Sequence, residues 1–178
     1  MMRKKIQLGL AGAAIVLAAV ACSDGTEDGD GVPEVLEKTP VAADESSRNL
    51  VLRSWKLEEF GPGAALGDEA TASVIEGALA SLPADNPVTL DLSEEGRTAG
   101  FDGCNRYFGD FRIQNGHQIV QGPVGATLMA CPDGRMDLEQ AFLRNLESAT
   151  RAFLRGEGLE LENDDGVVMV FARWESIE

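Results

Sequence analysis

The sequence has little of what metal, nucleic-acid and hydrolytic sites are built from. Among its 178 residues there is one histidine, His117, which excludes a zinc site of three histidines within one chain. Lys and Arg total 15 against 30 Asp and Glu, and the net charge of −15 disfavours binding to phosphate backbones or to anionic lipid. No Gly-x-Ser-x-Gly elbow, HExxH pair, glycine-rich phosphate loop or CxxC motif is present. We therefore expect no cofactor, no metal and no nucleic-acid partner.

The longest apolar stretch is too short to cross a bilayer as a helix. It extends from Ile6 to Ala21, follows three basic residues and ends in small residues that lead directly into Cys22. A spanning helix needs roughly 20 apolar residues, so this stretch is typical of an export signal. It resembles a bacterial lipoprotein signal, in which Cys22 is acylated and becomes the first residue of the mature chain. An ordinary secretory signal cleaved after Ala21 is the alternative.

An acidic segment follows the signal. Between Ser23 and Ser47 the sequence has eight acidic residues, one lysine and no aromatic residue. Such a segment cannot bury enough apolar surface to offset its ordering entropy, so we predict a flexible tether that holds a domain away from the membrane. Residues 26–37 partly match a calcium-binding loop, but Thr26 stands at the first position and Pro33 interrupts the pattern. A solvated acidic linker is therefore the favoured interpretation.

From Asn49 onward, alternating apolar residues predict β-strands. Leu50 and Leu52 alternate, and Trp55 and Leu57 alternate one position out of step, as on a bulged strand. Further strands are predicted at Val88–Leu92, Tyr107–Ile113, His117–Val120, Phe153–Leu154, Leu159–Leu161 and Val167–Phe171. The dipeptide Asn115-Gly116 predicts a hairpin turn, and the uniformly apolar last strand predicts cover on both faces.

Two segments have helical spacing instead. Leu138, Phe142 and Leu146 recur every four residues and predict the principal helix. A shorter apolar face is formed by Val74, Ile75, Ala78, Leu79 and Leu82. Many strands with one strong helix inserted favour the α+β class. We expect a mainly antiparallel, partly barrel-like sheet with one principal helix packed on it, and a second short helix in an inserted loop.

Two motifs resemble the signature of the META domain, the family of the heat-shock protein HslJ. The first is the segment Gly100–Gly109, with the sequence GFDGCNRYFG. The second is Ala126–Pro132, with the sequence ATLMACP, followed by MDLEQAF at Met136–Phe142. The resemblance covers residues 50–172, and it departs at residues 61–86, where the connection is longer than is usual for the family.

The resemblance implies a bacterial envelope lipoprotein without established enzymatic activity. We expect a signal peptide at residues 1–21, a lipidated Cys22 and linker to residue 48, and a META domain at 49–178. The expected protein is a monomer on the outer membrane, facing the periplasm and bound to the membrane through its lipid. The expected function is a non-enzymatic role in stress or antibiotic tolerance through an unknown envelope protein or small ligand. The alternatives are a carrier of small apolar ligands and an inhibitor module for an envelope-targeting enzyme.

The cysteines are the first candidate site residues. With Cys22 lipidated, Cys104 and Cys131 are left as a pair, one in each motif. Such a pair can persist as a disulfide outside the cytoplasm, and two reduced, buried thiols are the alternative. A Cys104 nucleophile with His117 as its base is the sharpest enzymatic hypothesis. It is disfavoured, because a disulfide would consume the thiol and His117 follows a hairpin turn.

The residues around Cys104 form the second candidate site. Gly103 and Asn105 tolerate positive φ angles and fit a sharp structural turn. Alternatively, Asn105 and Arg106 present an amide and a guanidinium to a partner. Tyr107 and the nearby phenylalanines either line a ligand pocket or pack in the core, and core packing is the favoured interpretation.

The substitution Cys22→Ser is expected to abolish acylation, because the thiol of Cys22 is the attachment point for the lipid. Metabolic labelling of cells with a fatty-acid analogue measures this, and the unaltered chain is the control. Equal labelling of the two chains would contradict the lipoprotein assignment. Ser23 at the next position further predicts sorting to the outer membrane.

Overall fold

The computed structural model describes residues 48, 50–51, 53–132 and 134–175. The predicted signal peptide, Cys22, the acidic linker up to residue 47 and the partial calcium-loop match at 26–37 lie outside the described residues. Within the described part of the chain, no helix is long and apolar enough to cross a membrane.

In the described residues, eight antiparallel strands follow one another, and each pairs with the next. They are β1 Ser54–Phe60, β2 Thr89–Leu92, β3 Arg97–Phe101, β4 Arg106–Gln114, β5 Gln118–Ala126, β6 Arg151–Arg155, β7 Gly158–Asn163 and β8 Gly166–Trp174. Because β8 also pairs with β1, the sheet closes into a ring, a closed barrel. The predicted α+β class with a mainly antiparallel, partly barrel-like sheet is confirmed.

Side chains that point into the ring form the core, because successive residues of a strand face opposite sides of the sheet. In β4, Tyr107, Phe111 and Ile113 are buried, whereas Phe108 and Arg112 are exposed, as the alternation predicted. The turn after β4 is also confirmed. Asn115 and Gly116 both have positive φ angles, 50° and 75°, and the His117 amide donates a hydrogen bond to the Gln114 carbonyl at 3.2 Å, so the chain turns tightly here.

Three local predictions are corrected. The strand expected at Leu50 is instead a short helical segment, and the Leu50 carbonyl accepts a hydrogen bond from Trp55 Nε1 at 3.0 Å. The bulge lies inside β1, between Leu57 and Glu59, where the pairing with β8 shifts register. In β8, Val167 and its neighbours on the outer side remain half-buried, so the strand is not fully covered on both faces.

Strand β3 was not predicted from the sequence. It is bounded on one side by Gly96, whose φ is 75°, and it pairs with both β2 and β4. Its buried positions are occupied by Thr98 and Gly100, neither of which is a large apolar residue. The alternation that marks the other strands is therefore too weak to recognise here.

Besides the short helical segment at Leu50, the described residues form two longer helices: α1 at Glu69–Ala80 and α2 at Arg135–Ser148. Asp68 is the N-cap of α1, and its carboxylate accepts a hydrogen bond from the Thr71 amide at 2.8 Å. The apolar face of α1 is narrower than predicted, since Val74 is 48 % exposed. The predicted stripe of α2 is confirmed, and it also contains the buried polar residue Asn145.

Helix α2 lies against one end of the ring. Strands β1, β3 and β5 end there, and β2 and β4 begin there, because neighbouring strands run in opposite directions. The Phe142 ring lies 5.3 Å from the Tyr107 ring, and Asn145 Oδ1 accepts a hydrogen bond from the Ala65 amide at 2.8 Å. The turn before β4, the segment after β5 and the connection that carries α1 therefore meet at this end.

Candidate functional site

A disulfide joins the two family-like motifs at this end of the ring. It connects Cys104, in the turn before β4, with Cys131, in the segment after β5, and their Cα atoms are 5.8 Å apart. Cys104 is buried, whereas Cys131 is half-exposed. We call residues 127–132 the 127–132 loop. The disulfide attaches the C-terminal part of this loop to the start of β4.

The buried amide of Asn105 holds the other part of the 127–132 loop. Its Oδ1 accepts hydrogen bonds from Thr127 Oγ1 at 2.7 Å and from the Met129 amide at 2.9 Å. Its Nδ2 donates to the Met129 carbonyl at 3.2 Å and to Glu139 Oε2, on α2, at 3.0 Å. These four partners use the donors and acceptors of the amide. Asn105 is 1 % exposed, so its amide serves the fold and is not presented to a partner.

Asp102 shapes the turn from which Asn105 projects. Its Oδ1 accepts hydrogen bonds from the amides of Cys104 at 2.9 Å and Asn105 at 2.6 Å. Its Oδ2 is buried and accepts no hydrogen bond from the described residues. Burial therefore raises the pKa of Asp102, against the lowering effect of the backbone donors. Ionisation of Asp102 is therefore less favourable here than in solvent.

Glu139 is the second carboxyl group of the network. Partial burial raises its pKa, the hydrogen bond from Asn105 opposes this effect, and the nearby charge of Asp102 raises the pKa further. Asn105 therefore connects the turn shaped by Asp102 with Glu139 of α2 and with the 127–132 loop.

Gly103 and Tyr107 have structural roles. Gly103 has a φ of 103°, and a Cβ atom there would lie 2.7 Å from the side chain of Leu138 on α2. The Tyr107 hydroxyl donates a hydrogen bond to the Thr89 carbonyl at 2.8 Å. Burial, and then the charge of Asp91, raise the pKa of Tyr107 well above its ordinary value. Neither residue is available to a ligand in solvent.

Arg106 differs from its neighbours because its side chain is exposed. Its backbone carbonyl accepts a hydrogen bond from the Thr127 amide at 3.0 Å, so the residue lies beside the start of the 127–132 loop. Its guanidinium makes no ion pair with any described residue. Of the four residues singled out in the first motif, Arg106 alone offers its functional group to solvent.

The 127–132 loop presents apolar side chains to solvent, although the Asn105 amide and the disulfide hold its backbone in place. Leu128 is 97 % exposed and Met129 is 59 % exposed, and Met136 at the start of α2 is 43 % exposed. The sequence did not indicate this exposure, because an apolar segment between a strand and a helix is more often buried. Exposed apolar side chains on a loop with a fixed backbone are typical of an interaction site.

The structure separates the residues of the enzymatic hypothesis. Cys104 precedes β4 and His117 follows it, and a strand of nine residues is about 30 Å long. His117 stacks on Phe153, with 5.5 Å between ring centroids, at the opposite end of the ring from the disulfide. In the described part of the chain, no three His, Cys, Asp or Glu side chains are grouped to hold a metal ion.

The first motif, the 127–132 loop and α2 all lie within the range matched by a family model. The model described as the META domain matches residues 48–176. The chain belongs to the META domain family. The match includes both cysteines of the disulfide, and it also includes the long connection at residues 61–86 that carries α1.

A solved structure shares the fold of this META domain. A protein from Burkholderia xenovorans, solved by NMR, is 25 % identical, with a TM-score of 0.52 over 80 % of this chain and 99 % of that chain. A second NMR structure is 17 % identical, with a TM-score of 0.49 over 70 % and 92 % of the two chains. A crystal structure of a DUF4847 family protein from Bacteroides vulgatus is 12 % identical, with a TM-score of 0.49 over 69 % and 93 %. No curated protein sequence matches the chain.

Removing the disulfide is expected to destabilise the META domain. The double substitution Cys104→Ala/Cys131→Ala should lower the free energy of unfolding by about 2–5 kcal/mol, because the bond restricts the unfolded chain. Chemical denaturation measures the change, with the Cys22→Ser chain as the control. Mass mapping of the non-reduced exported protein tests the bond itself. Two alkylatable thiols at Cys104 and Cys131 would contradict it.

The stability of the domain is expected to depend on pH through Glu139. Above the ordinary pKa of 4.5, the folded state retains a proton on Glu139 that the unfolded state has lost, so stability falls as the pH rises through the raised pKa. Glu139→Gln is neutral at every pH and can still accept the hydrogen bond from Asn105. The wild-type domain should therefore become progressively less stable relative to this variant as the pH rises.

Denaturant unfolding from acidic to neutral pH measures this difference. The matched control is Glu147→Gln, an exposed residue of the same helix, which should show a smaller pH-dependent difference from the wild type. A difference between Glu139→Gln and the wild type that stays constant with pH would contradict the role assigned to Glu139.

Proposed function

We propose that this META domain is a non-enzymatic binding module that engages a protein partner through the 127–132 loop. The observation that carries the proposal is the side chain of Leu128, which is 97 % exposed on a backbone that Asn105 and the disulfide hold. Ordering a loop costs roughly 1–2 kcal/mol per residue, and a loop that is already held avoids much of this cost on binding. Leu128 is therefore the expected centre of the interface.

The residues around Leu128 suit a protein surface. Met129 and Met136 add adaptable apolar area, and Arg106 adds a cation that no described residue neutralises. Methionine and arginine are enriched at protein interfaces, and a central apolar anchor with a polar rim is the usual arrangement. The expected partner surface has an apolar recess bordered by acidic or polar groups.

The cellular setting is part of the same proposal. We propose that the chain is anchored through a lipid on Cys22 to the outer membrane and faces the periplasm, where it supports stress or antibiotic tolerance. The lipoprotein-like signal and the family resemblance support this setting. If residues 22–48 form a flexible linker, its root-mean-square length is roughly 30 Å, so the domain would stay within reach of envelope proteins.

The two alternatives differ in what they require. An inhibitor of an envelope-targeting enzyme would also bind a protein, and Leu128 could serve as its anchor. A carrier of small apolar ligands requires an enclosed apolar cavity. The exposed apolar loop favours protein binding over the carrier function.

Leu128→Ser is expected to weaken partner binding by about tenfold or more, because truncation of a central anchor commonly costs 2 kcal/mol or more. The lipidated protein can carry a photo-crosslinking residue at Met136 in intact cells, where it should form one defined adduct. Leu128→Ser should reduce that adduct and impair complementation of a deletion strain under envelope stress.

The matched control is Val120→Ser, a half-exposed residue of β5 near the opposite end of the ring. It should leave both the adduct and the complementation unchanged. The proposal fails if Leu128→Ser complements fully and leaves the adduct at its normal yield. It also fails if Val120→Ser has the same effect as Leu128→Ser.

A further inference from the structure

A groove of about 510 Å³ lies between β1 and α1. Strand β2 pairs with β1 only at Ser54–Lys56, so the second half of β1 faces α1 instead of a neighbouring strand on that side. We call this recess the β1–α1 groove. Its outer wall belongs to the connection at residues 61–86, which carries α1.

One part of the groove wall is apolar. Phe60 of β1, Leu79 of α1 and Leu82 after α1 line it, and all three are half-buried against the core. Pro83 and Pro87 continue the apolar wall along the connection to β2. Apolar area of this kind favours the hydrocarbon body of a ligand by roughly 25 cal/mol for each Å² removed from water.

Carboxylates surround the same groove. Glu58, Glu59 and Glu76 line it, and only Glu58 is neutralised, by Lys56 at 2.6 Å. Glu59 and Glu76 are exposed and make no ion pair with any described residue. Two uncompensated negative charges therefore border an apolar wall, in a chain whose net charge is −15. The field of the whole molecule adds to their attraction for cations.

We infer that the β1–α1 groove binds an amphipathic organic cation, namely an amine with an apolar body. The volume of the groove lies in the range of small-ligand sites, roughly 300–1,000 Å³. An anion would be repelled by Glu59 and Glu76, and a neutral apolar molecule would leave their charges unused. The ammonium group contacts the carboxylates, and the apolar body lies on Phe60, Leu79 and Leu82. This site is separate from the 127–132 loop, so it does not depend on the function proposed for that loop.

A matched series of three probes tests the inference on the exported chain carrying Cys22→Ser. The probes are 4-phenylbutylamine, the uncharged 4-phenylbutanol and the anionic 4-phenylbutyrate. At neutral pH the amine should bind at least about fivefold more tightly than the alcohol, and the acid should not bind measurably. Calorimetry measures the affinities. Backbone amide shifts in NMR spectra should locate the amine at Glu58–Phe60 and Leu79.

Charge-removing substitutions test the two carboxylates. Glu59→Gln and Glu76→Gln should each weaken binding of the amine by about threefold, in keeping with the strength of exposed ion pairs. The control is Glu69→Gln, which removes the same charge at the start of α1, outside the groove lining. It should change the affinity by much less.

Three outcomes would overturn the inference. The first is no binding of the amine at millimolar concentration, or amide shifts outside the groove. The second is equal affinity for the amine and the alcohol. The third is an equal effect of Glu69→Gln and Glu76→Gln, which would assign the attraction to the net charge of the chain. None of these outcomes bears on the 127–132 loop, whose test uses different residues and a different readout.

Discussion

The buried amide of Asn105 is the interaction on which the candidate site depends. It joins three elements that are distant in sequence: the turn before β4, the 127–132 loop and α2. A buried amide is costly unless its hydrogen bonds are made, so this contact strongly favours one arrangement of the three elements. The disulfide between Cys104 and Cys131 acts on the same turn and the same loop. Together, the Asn105 amide and the disulfide fix the backbone of an exposed loop at one end of the ring.

Two surfaces of different chemistry result at that end of the ring. The 127–132 loop carries an exposed apolar side chain at Leu128 beside the exposed residue Arg106. The β1–α1 groove combines an apolar wall with the carboxylates of Glu59 and Glu76. The first suits a protein with an apolar, acidic recess, and the second suits a small organic cation. The closed ring supplies a common scaffold, because α2 and the long connection to α1 both pack against its end.

The prediction of secondary structure from the sequence succeeded where apolar residues repeat with the period of a strand or a helix. The alternation in β4 and the stripe of α2 follow this rule, whereas the Asn115-Gly116 turn was predicted from its residue types. The prediction failed where small or polar residues take the inward positions, as Thr98 does in β3. It also failed at Leu50, because a short apolar alternation fits a helical turn as well as a strand. The indole of Trp55 satisfies the Leu50 carbonyl there, which the local sequence does not encode.

The sequence by itself determined the family, the order of most elements and the two cysteines that could pair. Only the tertiary structure decided that Asn105 points inward, that Asn145 is buried and that Leu128 is exposed. The physical reason is the sequence separation of the contacts concerned. Asn105 reaches Met129 across 24 residues, and Asn145 reaches Ala65 across 80. Local periodicity reports which face of an element is apolar, whereas these contacts depend on how the closed ring brings separate elements together.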